Sequence, residues 1–208
     1  MPALLRIANL IWFVKWPAHQ KKNKKGNLCC LSLYNAFLTD LNLSNCEQLK
    51  GELTSLTNAR SLVSINLANT RISGTLDPLA ALADTLKILD LSRTKVSGGL
   101  QALSACTKLT HLNVTKCPQI TSLLDALQSL AKLQELRANH TDIHGTLFPL
   151  HYCKEIEIID LGNCPIVGPL SPLFVCRKLK ELTLWHTRNG CDLATFEKRL
   201  PDCTVELL

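Results

Sequence analysis

Residues 1–39 contain no aspartate or glutamate, and the whole chain has no CxxC pair, GxSxG, HExxH, Walker-type phosphate loop or GxGxxG. Each absence removes a class of function. A nucleophile elbow, a zinc-protease helix, a phosphate cradle and a dinucleotide turn depend on those spacings, so no enzyme is expected. Cys29 and Cys30 are adjacent rather than at metal-clamp spacing, and no metal or other cofactor is implied. The longest uncharged apolar run of the N-terminal segment, Ile7 to Val14, has eight residues, far short of the roughly 20 that span a bilayer. No transmembrane span is therefore expected.

The missing acids also locate the charge. The formal net charge is +6, residues 1–39 hold Arg6, Lys15, Lys21, Lys22, Lys24 and Lys25, and residues 40–208 carry 17 basic and 17 acidic side chains. The excess is therefore entirely N-terminal, and the main domain lacks the uniformly basic footprint of a nucleic-acid protein. Residues 1–27 leave several roles open. Arg6 and Lys15 suit an organellar presequence, and the KKNKK run at Lys21 to Lys25 suits a nuclear address, RNA or an anionic surface. Alternatively, the apolar run with Trp12 and Trp16 covers the open end of the following domain while the lysines form a solvated linker. A secretory signal would need a longer apolar stretch and a small-residue cleavage site.

What the chain has in abundance is a repeat. Units begin at Leu38, Leu62, Leu86, Leu109, Leu133, Ile156 and Leu179, spaced by 24, 24, 23, 24, 23 and 23 residues. Positions 1, 4 and 6 of each unit are apolar, as in Leu86, Leu89 and Leu91, and the alternation over positions 4 to 6 predicts a short strand with one buried face. Position 9 is Cys46, Thr70, Thr94, Cys117, Thr141, Cys164 or Thr187, a small polar side chain suited to satisfying buried turn backbone. An IxGxLxxL half follows, as in Ile72, Gly74, Leu76 and Leu79; unit four puts Ser122 at the Gly position. The glycine is expected to permit a backbone shape that a Cβ would obstruct.

This pattern, LxxLxLxx(T/C)xIxGxLxxL, resembles the leucine-rich repeat superfamily, with a GxL half like that of plant-type and some protozoan repeats. The resemblance covers about residues 38–193. It implies an α/β fold: a right-handed solenoid, or horseshoe, with a parallel concave sheet and short irregular or 3₁₀ segments on the convex side. The same resemblance implies caps at both ends. Residues 28–37 are expected to form a capping strand or hairpin, with Phe37 inward, and residues 194–208 a short helix before Pro201 and a last strand.

The register gives the cysteines addresses. Cys46, Cys117 and Cys164 stand at position 9, while Cys106, Cys153 and Cys176 each stand three residues before the next unit. Neighbouring units put Thr, Ala or Leu there, so these cysteines are expected to be buried reduced thiols, which favours an intracellular compartment: cytoplasmic, nuclear or mitochondrial.

Positions 3, 5, 7 and 8 are expected to face outward from the concave sheet, the same position stacking about 4.8 Å apart in successive units. Units one and two present small polar groups, units three to seven larger ones. The candidate binding residues are therefore Arg93, His111, Lys116, Arg137, His140, Asp160, Trp185 and His186. Trp185 stands out, because an exposed indole is costly unless covered, and covering Gly162 on the next strand is its alternative role. Arg137 is expected to form a surface ion pair with Asp160. The leading functional expectation is a protein-binding scaffold, adaptor or assembly subunit. The alternative is a subunit of a ribonucleoprotein or membrane-associated assembly that uses residues 1–27.

Overall fold

The computed structural model describes residues 26–31, 38–187 and 193–207. Apart from Gly26 and Asn27, the N-terminal segment lies outside the described residues, and so do Phe37 and residues 188–192.

Units one to six each contribute one strand to each of two parallel sheets, and among the described residues unit seven contributes Glu181–Thr183 to the first alone. The first, the concave sheet, has eight strands running in unit order from Asp40–Asn42 to Thr204–Glu206. Its register places position 4 of every unit beside position 4 of the next: Leu41 on Ile65, then Leu89, Leu112, Leu136, Ile159, Leu182 and finally Val205. These side chains through Leu182 form a buried ladder. Parallel strands need a long crossover, and here the rest of each unit supplies it.

The crossover carries the second sheet, seven strands from Gly26–Asn27 to Ile166–Val167, each followed by a 3₁₀ turn such as Leu100–Leu103. The recurrent glycine lies where the strand gives way to that turn. Gly74 has φ +95° and Gly98 φ +93°, a left-handed conformation in which a Cβ would be strained. Unit four has Ser122 in place of the glycine, in the strand Gln119–Leu123, and Ser122 is not among the residues of positive φ. Ser122 is buried, and its Oγ accepts a hydrogen bond from the Leu100 amide of unit three at 3.1 Å.

Between the sheets lies one continuous apolar core. Leu, Ile, Val and Ala at positions 1, 4 and 6, and the leucines of the GxLxxL half, are almost all buried, and so are the six cysteines assigned to internal positions. Position 9 works in two ways. Thr70, Thr94 and Thr141 donate to the carbonyl three residues back, at 2.6–2.7 Å. Cys117 and Cys164 reach back to the preceding unit instead, donating to Leu91 O at 3.0 Å and Ala138 O at 3.1 Å. Cys106, Cys117, Cys153, Cys164, Cys176 and Cys203 are thiols outside any disulfide.

The two ends differ in how closely they follow expectation. At the C-terminus, helix Leu193–Arg199 and strand Thr204–Glu206 occupy the expected places. Phe196 is fully buried 6.1 Å from Phe174, and Arg199 lies over the Phe174 ring. At the N-terminus, the strand expected from Leu28 is replaced by a 3₁₀ turn, Leu28–Leu31, preceded by the Gly26–Asn27 strand. The reason is phase. GNLCCL matches the GxLxxL half of a unit, and Gly26 pairs with Leu49 just as Gly51 pairs with Ile72.

Candidate functional site: the concave face

Position 5 is mostly structural. Oδ1 of Asn66, Asp90 and Asn113 each accepts the backbone N–H two residues on, at 2.9–3.1 Å, closing the turn after the strand. Asp160, 9% exposed, does the same for Gly162 at 3.3 Å and also accepts from the Asn139 side-chain amide. Asp160, expected among the binding residues, thus holds two turns with its carboxylate.

Arg137 breaks the position-5 pattern. It stands opposite Asp160 in the register, yet the expected ion pair does not form. Nε donates to Glu135 Oε1 at 2.5 Å, and Nη2 lies 3.9 Å from Glu181 Oε2. Glu135 projects from the same strand and the same face two residues away, whereas Asp160 is already engaged by backbone.

Trp185 lies over Gly162. A Cβ added to that glycine would sit 2.5 Å from the indole Nε1, so the ring fills the space that a side chain at position 7 of unit six would occupy. Its two neighbours are His140 and His186, each with ring centroid 5.4 Å away and meeting it edge-on. Asn163 Nδ2 lies 3.1 Å from His140 Nδ1, which accepts in the Nε2–H tautomer. The histidines, two strands apart in the register, are thereby brought to one half-buried indole.

His111 is half-buried beside Thr110, with Nδ1 2.8 Å from the threonine hydroxyl. Arg93 and Lys116 are exposed. Both belong to a feature absent from the sequence-based reading. Every residue at position 8, from Asn45 to His186, has a positive φ between 55° and 61°. The repeated asparagines Asn45, Asn69 and Asn163 were the available signal, since Asn tolerates this conformation.

A second unforeseen feature lies on the other sheet and its turns, where Leu123, Phe148, Tyr152 and Val167 are exposed. Phe148 stacks on His151 at 6.0 Å and meets Tyr152 edge-on at 6.2 Å. Their places hold polar residues in several other units, such as Thr75 for Leu123 and Asp77 for Phe148.

The concave site is thus an open display surface carried on a rigid sheet. Among the described residues, no group of three or more His, Cys, Asp or Glu side chains is placed to hold a metal ion, and no helix is long and apolar enough to cross a membrane.

No protein-family model matches the chain, and no curated protein sequence does. Solved structures do. Internalin C2 from Listeria monocytogenes is 18% identical, with TM-score 0.59 over 92% of this chain and 90% of that one. A leucine-rich repeat protein from Leptospira interrogans is 18% identical, with TM-score 0.62 over 81% of this chain and 46% of its own. The leucine-rich repeat ectodomain of the Arabidopsis receptor kinase HAESA, solved with a peptide hormone ligand, is 18% identical, with TM-score 0.65 over 80% and 30%. This chain has the leucine-rich repeat fold: an α/β solenoid of short repeats.

Proposed function

We propose that this protein is a non-catalytic interaction module that docks a partner protein on the concave face of units three to seven, as a scaffold, adaptor or assembly subunit in a reducing intracellular compartment. The observation that carries the reading is the cluster of Trp185, His140 and His186. An indole edged by two imidazoles on a sheet surface offers a large, rigid and amphipathic contact with little side-chain entropy left to lose on binding. Burial of Cys106, Cys117, Cys153, Cys164 and Cys176 as thiols with raised pKa values supports a reducing setting. The HAESA ectodomain, which shares the fold, is seen with a peptide ligand, a precedent for a protein or peptide partner.

The test is recovery of native complexes by crosslinking and mass spectrometry with wild type and with Trp185→Ala/His140→Ala, each checked for an unchanged circular dichroism spectrum. Specific partners are expected to be lost from the double variant, and equal recovery would move the site elsewhere. Deleting residues 1–25, which spares the Gly26–Asn27 strand, is expected to leave recovery intact. Loss of a salt-sensitive association instead would favour the assembly that uses the basic segment.

A further inference from the structure

Position 8 holds side chains that the backbone disfavours. At φ near +56° the Cβ crowds the following carbonyl, and asparagine, aspartate and histidine bear this better than long side chains. Units one, two and six use asparagine, whereas units three and four place Arg93 and Lys116 at φ +56° and +57°. Both are exposed, and among the described residues neither takes part in an ion pair. His140 and His186 continue the row beyond them, exposed and at the same φ.

Across the face the sign of the charge changes. Position 3 carries Glu135 and Glu181, which between them engage Arg137, the large cation of position 5. A polyanion such as RNA laid over units three to seven would meet Glu135, Glu181 and Asp90 as well as the basic row. A narrow ligand with acids along one side meets only the row.

We infer that the position-8 row of units three to seven receives an extended acidic segment of a partner protein, its carboxylates against Arg93, Lys116 and the two histidines and an apolar side chain against Trp185. The dimensions suit this occupant. Four strand spacings of about 4.8 Å span about 19 Å, the reach of about six extended residues. The inference rests on the concave-face reading above and adds the chemistry of what docks there.

The experiment uses the full chain and fluorescence anisotropy of a labelled twelve-residue peptide containing six glutamates and a central leucine. Matched peptides with glutamine or lysine for glutamate, and a twelve-nucleotide single-stranded RNA, serve as comparators. The glutamate peptide is expected to bind best, and more weakly as salt rises. The decisive variant is Arg93→Asn/Lys116→Asn, because asparagine suits the backbone at both positions. Binding is expected to fall about tenfold while Tm rises, a combination that a merely structural role for these residues would not give. Equal binding by wild type and variant would place the peptide on the basic N-terminal segment and overturn the inference, as would preferential binding of the RNA. Failure of the glutamate peptide while complex recovery still depends on Trp185 and His140 would overturn the acidic occupant alone. Recovery independent of those two residues would remove the underlying site as well.

Discussion

The Trp185 indole of unit seven occupies the space that a side chain on Gly162 of unit six would fill, with Nε1 2.5 Å and Cε2 2.6 Å from the position of the absent Cβ. One residue's lack of a side chain is thus the seat of another's ring, and both histidine contacts depend on the ring staying there.

Gly162→Ala is expected to displace the indole and destabilise the fold by about 1–3 kcal/mol, the usual cost of forcing atoms into filled space. Trp185→Ala in the same background should recover part of that loss, since contacting residues couple by roughly 0.5–3 kcal/mol. Urea denaturation of the two single variants and the double gives the cycle, and strictly additive values would mean that the ring does not rest on the glycine.

Asp160→Ala removes the acceptor for the Gly162 amide and for the Asn139 side chain. Stranding a buried donor costs about 1–3 kcal/mol, so this variant should lose clearly more stability than Arg137→Ala, whose part-exposed ion pairs are worth under about 1 kcal/mol. Asp160→Asn keeps an oxygen for the turn and should fall between. Chemical melts rank the three, and a larger loss at Arg137 would reverse the assignment.

The thiols predict a pH dependence with a definite sign. Burial pushes Cys153 up from 9.0 to about 12, with further upward pressure from Cys176, and pushes Cys176 itself to about 11. In the unfolded chain both ionise near 9, so above that pH the unfolded state holds fewer protons than the folded state, and stability must fall. Tm should hold below pH 9 and decline from there toward pH 12, and Cys153→Ala should flatten the decline. Under native conditions at pH 8, iodoacetamide is expected to leave buried Cys153 and Cys176 unmodified until denaturant is added.

Phe196→Ala should destabilise by about 3–5 kcal/mol, because the ring is fully buried against the last coil and contacts Phe174. Loss of the cap leaves core exposed, so the variant should also aggregate at lower concentration than wild type by light scattering. An unchanged melt would show that the helix is not closing the core.

The repeat makes most of this architecture legible in the sequence. LxxLxL at a spacing of 23 or 24 residues placed the position-4 ladder from Leu41 to Leu182 and six buried cysteines, because buried stacking demands the same residue type at the same phase every turn. The N-terminus is ambiguous for the same reason. LCCLSL matches a strand start as readily as GNLCCL matches a turn, and only pairing of Gly26 with Leu49 separates the two phases.

The candidate site was legible as a set of exposed positions but not as contacts. Register put Arg137 beside Asp160, yet ion pairing is decided by side-chain reach within one strand and by which carboxylates the backbone has already taken. The shared φ of position 8 was hidden because Arg, Lys and His stand among the asparagines that would have signalled it.

The two chemistries at position 9 reach beyond local hydrogen bonding. Threonine ties a coil to itself, whereas Cys117 and Cys164 donate to the coil before. In a one-dimensional cooperative array, a threonine here adds to the energy of a link and a cysteine to the energy of the joint between links. Weak donors though thiols are, they punctuate the array. At this row unit three is joined to four and unit five to six, so partial unzipping should shed coils two at a time there rather than singly.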